Sequence, residues 1–143
     1  MRPEELQMLE LAIPRDVFDK MLNQAADEAP MEACGILAGR CGRVGKLYKM
    51  KNSEHRCDHF MMEPKEQFAV AQDIRAASLE MLAVYHSHPA TPARLSAEDI
   101  RLALTPEILY VIISLGGPGG PVVKGFALEN GRIAEVPLRI LEE

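Results

Sequence analysis

Apolar residues recur along the chain with two periods, one typical of helices and the other of strands. After Pro14, apolar residues return every three or four positions and define one helical face: Val17, Phe18, Met21, Leu22, Ala25 and Ala26. This pattern predicts a first helix that begins at Pro14 and ends before Pro30. A second helix, with a less regular apolar stripe, is predicted over residues 65–79 after Pro64.

The other apolar segments are short and are bounded by glycine, proline or polar residues, which favours strands. They cover residues 9–13, 32–39, 44–52, 59–62, 81–86, 108–115, 122–128 and 132–140. Asn130-Gly131 predicts a hairpin turn between the last two, and Ser96 is typical of an N-cap before a short helix to about Leu104. The mixture predicts an α/β (α+β) fold in which helices flank a single mixed, largely antiparallel sheet.

Composition narrows the class of protein without indicating an activity. The chain has 143 residues, 48% of them hydrophobic, and 16 basic and 21 acidic residues give a formal charge of −5. One domain over residues 1–143 is therefore expected. The acidic charge and the absence of Trp disfavour nucleic-acid binding. The longest apolar run, residues 108–115, is too short to cross a membrane.

The first residues and the cysteines indicate a cellular compartment. The start of the chain lacks a basic stretch followed by an apolar run, so no secretory signal is expected. Cys34, Cys41 and Cys57 are odd in number and form no Cys-x-x-Cys pair. Both observations favour reduced thiols and a cytoplasmic protein.

The segment from His86 to Asp99 carries the most specific chemical signal. Residues two apart on a strand point to one face, so His86 and His88 would present two imidazoles side by side while Ser87 points away. Asp99 could add a carboxylate, and such a set leaves a fourth position for water on a catalytic zinc ion. Each half also has a simpler interpretation: two core or surface histidines, and a helix cap made by Ser96 and Asp99.

The full pattern resembles the JAMM (MPN-plus) metallopeptidase family. That family has His-x-His, seven residues, Ser, two residues and Asp, with Glu at a distance upstream. The corresponding residues here are His86, His88, Ser96, Asp99 and Glu32. The residues 32–39, Glu-Ala-Cys-Gly-Ile-Leu-Ala-Gly, are similar to the family's Glu-x-x-Gly-x-Leu-x-Gly strand. The resemblance covers about residues 9–136 and implies a compact MPN/JAMM-like (cytidine-deaminase-like) architecture.

The resemblance also implies a role for each of these five residues. His86, His88 and Asp99 would bind one zinc ion per chain together with a water. Glu32 would accept that water's proton and pass it to the leaving amine, and Ser96 would donate a hydrogen bond to the developing oxyanion. Because Asp99 also lies in the first turn of a helix, we expect zinc ligation to compete with capping there and the ligand role to prevail.

Three other features have both a functional and a structural interpretation. His55, Cys57 and His59 could form a second metal site, but a polar loop is favoured because no fourth ligand is evident. Cys34 could be a nucleophile, but its apolar neighbours favour a small buried residue. The glycines of residues 116–120 favour a turn, because the ending of a phosphate-binding loop is missing.

The activity implied by the resemblance is hydrolysis of a peptide or isopeptide bond after the C-terminal Gly-Gly tail of a ubiquitin-like or sulfur-carrier protein. The chain lacks the long insertions of eukaryotic relatives, which favours an adduct on a sulfur carrier as the substrate. Two alternatives remain, a non-catalytic MPN scaffold or dimerisation module and a small-peptide amidohydrolase on the same site. The sequence is compatible with a homodimer.

Overall fold

The computed structural model describes residues 10–53, 60–96, 99, 107–129 and 131–142. Within these ranges the chain forms two helices, α1 (Arg15–Glu28) and α2 (Pro64–Ala76). The strands of the same ranges are β1 (Leu11–Pro14), β2 (Cys34–Arg40), β3 (Arg43–Met50), β4 (Glu80–His88), β5 (Leu109–Ser114), β6 (Val122–Glu129), β7 (Arg132–Val136) and β8 (Leu138–Leu141).

The eight strands join one mixed sheet in the order β7-β6-β5-β4-β2-β3-β1-β8. Four of the seven pairings are antiparallel and three are parallel, namely β1 with β3, β1 with β8 and β4 with β5. The predicted α+β fold with a mixed, largely antiparallel sheet is confirmed. The buried strand β4 lies in the middle of the order, between β2 and β5, and this position makes it the platform for the site described below.

The second helix starts at Pro64 and the first at Arg15, one residue after the predicted start; proline suits such positions because it fixes φ and the first helical N–H groups have no intrahelical acceptor. Pro14 is the last residue of β1 and also the N-cap of α1. The second helix ends at Ala76 rather than at residue 79. Ser78 adopts a left-handed φ of 58°, and the N–H groups of Ser78 and Leu79 return to the carbonyls of Arg75 and Ile74. This Schellman arrangement ends the helix.

The predicted strand over residues 132–140 is in fact two strands on opposite edges of the sheet. Pro137 separates β7 from β8 because it has no N–H to give to a strand ladder. The strand β8 then pairs in parallel with β1 at the far end of the strand order. Since one residue joins the two edge strands, the sheet curls until its edges approach each other, and it encloses the main core with α1.

Other boundaries differ from the predictions at positions that matter for function. Glu32 lies just before β2 instead of inside it, and β4 extends to His88 rather than ending at His86. The predicted strand over residues 59–62 is reduced to an isolated bridge between Asn52 and Met62. Asp99 is helical, but most of the predicted short helix, like Leu9 of the first predicted strand, lies outside the described residues.

The sheet has one large apolar cluster on the face that α1 covers and two smaller clusters on the opposite face. The large cluster joins α1 to seven strands, β1 to β7, and includes Met21, Leu37, Tyr85 and Val111. On the opposite face, one small cluster links β2 and β3 to α2. The other small cluster consists of Ala93, Ile112 and Phe126, with Leu95 packed against it. The end of β4 lies between the two small clusters, on a face with room for polar side chains.

Candidate metal centre

The two histidines of β4 are buried side by side on the face opposite α1. Along β4, the side chains of His86 and His88 point to one face of the sheet and those of Tyr85 and Ser87 point to the other. His86 and His88 have only 2% and 4% of their surface exposed. Their ring centroids are 5.1 Å apart. Phe60 lies against the other side of His86, with ring centroids 4.6 Å apart. The predicted juxtaposition of two imidazoles is therefore present, in a place with little water.

Asp99 lies opposite both imidazoles and is itself buried. Its Oδ1 is 3.0 Å from Nε2 of His86, and its Oδ2 is 3.0 Å from Nε2 of His88. One possible ligand atom from each residue lies within 4.8 Å of the others. Two ligand atoms bound tetrahedrally to one zinc ion at about 2.0–2.1 Å would lie about 3.3 Å apart. The observed spacing is therefore close to that of a filled metal site.

The hydrogen bonds of His88 show which of its ring nitrogens carries the hydrogen when the residue is neutral. Its Nδ1 lies 2.9 Å from the carbonyl oxygen of Pro92, which can only accept, so Nδ1 donates. A neutral His88 then directs the lone pair of Nε2 at the Asp99 carboxylate. Such an arrangement is repulsive unless a positive charge, either a proton or a metal ion, lies between the two atoms.

The pKa values of the three residues follow from this arrangement. Burial lowers the pKa of His86 more than the adjacent Asp99 carboxylate raises it, so His86 is neutral at pH 7. Burial also lowers the pKa of His88, but the hydrogen bonds to Asp99 and Pro92 outweigh it and the net pKa is raised. For Asp99, burial opposes ionisation, yet its two histidine partners hold the pKa far below the ordinary value.

His86 carries a polar atom that the described protein does not satisfy. Its Nε2 lies 3.0 Å from Asp99 without the alignment of a hydrogen bond, and its buried Nδ1 has no hydrogen-bond partner among the described residues. Buried polar atoms in folded proteins nearly always have partners. Two neutral imidazoles and one ionised carboxylate are also the donor set that suits a divalent transition metal. The residues present therefore fit a metal ion.

Asp99 caps the helix and also faces both histidines. Its N–H is 3.0 Å from Oγ of Ser96, and its own Oδ2 accepts a hydrogen bond from the N–H of Ser96 at 2.9 Å. These reciprocal bonds form a capping box. The same carboxylate also places one oxygen 3.0 Å from each histidine, so the cap leaves Asp99 beside both imidazoles, and its role as a ligand stays a prediction. A carboxylate has about four lone-pair positions and can serve both groups.

Glu32 is buried beside this cluster, although it lies outside the strand in which it was predicted. Its backbone segment is fixed by two side chains. Ser87 accepts a hydrogen bond from the N–H of Ala33 at 2.8 Å, and Asn52 donates one to the carbonyl of Glu32 at 3.1 Å. The charge of Glu32 contributes to the raised pKa of His88. The structure thus brings Glu32 within electrostatic range of His88.

Sequence reasoning missed the residues that hold this segment. Ser87 was recognised only as the residue pointing away from the histidines, whereas its hydroxyl and its N–H both bind Ala33. Asn52 also accepts the N–H of Met61, and so connects residues far apart in the chain. The alternation of β4 could have indicated a structural use for Ser87, but no local pattern identifies Asn52.

The remaining sequence-based hypotheses have different outcomes. Cys34 is fully buried and burial raises the pKa of its thiol to about 12, which confirms a structural residue. The thiols of Cys34 and Cys41 are both free. Residues 116–120 include turn and bend positions, and Gly120 has a φ of 95°. His55, Cys57 and His59 lie outside the described residues.

Comparison with known families places the chain in a class. Residues 14–125 match the family described as prokaryotic homologs of the JAB domain. The match covers more than half of the chain, so the protein belongs to this family. The expected JAMM resemblance is therefore confirmed. No helix within the described ranges is long and apolar enough to cross a bilayer.

Individual relatives agree with this assignment. The chain is 31% identical to a CysO-cysteine peptidase of Mycobacterium tuberculosis over 93% of this chain and 92% of the relative. It is 31% identical to a probable TtuB-protein conjugate cleaving protease of Thermus thermophilus, over 93% and 84% respectively. A protein of Desulfitobacterium hafniense has a solution structure with a TM-score of 0.84 and 39% identity, covering 93% of this chain and 94% of that one. The expectation of a peptidase is thereby confirmed.

Proposed function

We propose that this protein is a zinc-dependent peptidase that cleaves the peptide or isopeptide bond after the C-terminal Gly-Gly tail of a ubiquitin-like or sulfur-carrier protein. The observation that carries the proposal is the convergence of His86, His88 and Asp99 at mutual distances suited to one metal ion. The names of the relatives, a CysO-cysteine peptidase and a TtuB-protein conjugate cleaving protease, support the substrate class.

In this proposal, His86, His88 and Asp99 hold one zinc ion per chain. The ion, when bound, supplies a Lewis acid that lowers the pKa of water to about 7. The hydrogen bond from His88 to the Pro92 carbonyl keeps Nε2 available as a ligand atom. The capping box orients Asp99 before any ligand binds. The three side chains are therefore pre-organised.

Glu32 is the general base of the proposed reaction. Its carboxylate takes a proton from the attacking water and delivers it to the leaving nitrogen when the C–N bond breaks. Burial keeps bulk water from competing for that proton. The hydrogen bonds of Ala33 to Ser87 and of Asn52 to Glu32 hold the backbone on both sides of the carboxylate, which restricts the positions that it samples.

Ser96 is the proposed donor to the oxyanion. Its Oγ accepts the N–H of Asp99, and the hydroxyl hydrogen remains able to donate to a substrate oxygen. Because the cap fixes this hydroxyl next to the carboxylate of Asp99, the position of the donor is set before the substrate binds. Removing one such donor typically costs about 2.7–4 kcal/mol in the barrier.

The proposal includes a cytoplasmic location, since an exposed free thiol on Cys41 and a buried one on Cys34 suit a reducing compartment. It includes no nucleic-acid or membrane partner, given the acidic charge. A homodimer stays a prediction.

The test is intact-mass analysis of a Gly-Gly-tailed carrier protein extended at its C-terminus. We expect the wild-type protein to release the extension and a chelator to stop it. Glu32→Gln should retain the metal but cleave about 10²–10⁴-fold more slowly, because only the base is removed. A matched control is Glu66→Gln on α2, which should cleave normally. Cleavage that survives both chelation and Glu32→Gln would contradict the proposal, and inactivity towards the carrier with activity on small peptides would contradict the substrate class.

A further inference from the structure

A cavity of about 420 Å³ opens directly beside the candidate metal centre. Its described lining includes His88 and Ser96 of the site and four residues of the intervening loop, Thr91, Pro92, Arg94 and Leu95. A substrate group in this cavity would therefore lie next to the bond that is cleaved. Cavities of about 300–1,000 Å³ are typical of sites for small ligands.

The loop that forms the cavity wall is held in place by bonds to its neighbours. Ser114 donates to the carbonyl of Thr91 at 2.5 Å, and the N–H of Leu115 binds the carbonyl of His88 at 3.1 Å. Ala93 is buried against Ile112 and Phe126 of the sheet. A wall fixed in this way loses little conformational entropy when a ligand binds.

Arg94 gives this cavity a positive charge in a protein whose net charge is negative. It lies between two residues anchored in the apolar cluster, Ala93 and Leu95, and its own side chain is exposed. No carboxylate in the described part of the chain forms an ion pair with Arg94, and none of the described lining residues is acidic. A guanidinium group in such a position suits a carboxylate, which it can bind through two parallel hydrogen bonds.

We propose that this cavity receives the leaving side of the substrate and that Arg94 binds the α-carboxylate of a single amino acid released from the carrier tail. This inference rests on the proposed function and specifies its leaving group. In an amino acid, the carboxylate carbon is about 2.5 Å from the nitrogen that is released. When the released nitrogen is instead the side-chain amine of a lysine, the carbons bonded next to it belong to an apolar methylene chain. A cation that lines the same cavity as His88 and Ser96 therefore distinguishes the two leaving groups.

The experiment compares three substrates made on one Gly-Gly-tailed carrier. The first carries a C-terminal alanine with a free carboxylate, and the second carries the same alanine as its carboxamide. The third is an isopeptide to a lysine flanked by aspartates, which offers a carboxylate from a protein side chain. For the wild-type protein, we expect kcat/KM to be roughly ten- to hundredfold higher for the free acid than for the carboxamide.

Arg94→Gln should reduce this preference to nearly one, with the loss confined mainly to the free acid. Arg132→Gln, an exposed arginine at the start of β7, is the matched control and should keep the preference. Equal losses on the acid and the carboxamide would overturn the inference, as would a wild-type protein with no preference. An Arg94 effect found only with the aspartate-flanked isopeptide would overturn the assignment to an α-carboxylate. Cleavage of the isopeptide alone would also overturn the inference, whereas complete inactivity towards all three substrates would instead refute the proposed function.

Discussion

The two faces of β4 use buried polar residues in opposite ways. On the face towards α1, the hydroxyl of Tyr85 donates to Gln24 at 2.5 Å, and Gln24 in turn donates to the carbonyl of Cys34. Ser87 on the same face binds Ala33. On the other face, His86 has a nitrogen with no partner among the described residues, and Nε2 of His88 lies 3.0 Å from the carboxylate of Asp99.

This contrast separates structural polar groups from those available for chemistry. All four side chains of β4 concerned are at least 96% buried, so burial alone does not distinguish them. What differs is the partner: Tyr85 and Ser87 bind groups that hold the fold, whereas His86 and His88 face an ionised carboxylate and His86 keeps a nitrogen with no partner among the described residues. On the α1 face, the polar groups stabilise the fold and the position of Glu32. On the opposite face, the histidine nitrogens are placed where they suit a metal ion.

The largest effect is expected from removing the charge that both histidines face. Asp99→Asn should reduce metal occupancy from about one ion per chain to nearly none, and activity by about 10³-fold or more, because Lewis-acid catalysis contributes several kcal/mol. The amide oxygen can still accept the N–H of Ser96, so the cap should persist. Elemental analysis and circular dichroism measure the two quantities separately.

The matched control for this change is Asp73→Asn on the exposed side of α2. Asp73 binds Lys46 and Tyr48 at the surface, and its substitution should leave metal content unchanged. Full occupancy in Asp99→Asn would show that Asp99 caps the helix without binding metal.

The second largest effect is a dependence of metal affinity on pH. Burial lowers the pKa of His88, but its hydrogen bonds to Asp99 and Pro92 raise that pKa above the ordinary value, so a metal ion must displace a proton from His88 at pH values below the raised pKa. We expect affinity to rise about tenfold per pH unit below the pKa of His88 and to level off above it. His86 adds little in this range because its pKa is lowered. Competition with a chromophoric chelator between pH 6 and 8 measures the slope, and a flat profile would contradict the proton–metal exchange.

The sequence predicted some residues of the candidate site but not the residues that hold them in position. Strand alternation, a local property, predicted that His86 and His88 lie side by side, and the family pattern added Asp99, because Ser96 and Asp99 alone favoured a helix cap. Asn52 and Pro92 were not predicted, since their bonds to Glu32 and His88 depend on how distant or irregular segments meet. The parallel pairing of β8 with β1 was missed for a similar reason, because register between the chain's ends has no local signal.

A smaller effect is expected where the α1 face supports the base. Ser87→Ala removes the acceptor of the Ala33 N–H, which should let Glu32 move and lower kcat by about tenfold, since misplacement by 1 Å can cost about 10²-fold. Metal occupancy should remain, because the histidines are untouched. Ser53→Ala, which removes an exposed hydroxyl bound to the Met61 carbonyl, is the control. Loss of metal in Ser87→Ala would show that the two faces of β4 are not independent.

The smallest effect on turnover is expected at Tyr85, because its hydroxyl binds Gln24 of α1 and takes no part in the proposed reaction. Its ring lies over Gly35, where a Cβ atom would come within 2.2 Å of it, and its hydroxyl is the only part that Phe would lack. Tyr85→Phe leaves Gln24 without its buried donor, so the free energy of unfolding should fall by about 1–3 kcal/mol. Tyr48→Phe, at the exposed partner of Asp73, should change it by less than about 1 kcal/mol. Denaturant titration measures both, and kcat per bound metal should stay within about twofold of wild type for each variant, because neither hydroxyl faces the histidines. A large loss of kcat in folded, metal-loaded Tyr85→Phe would instead mean that the hydrogen-bonded face of β4 also tunes the reaction.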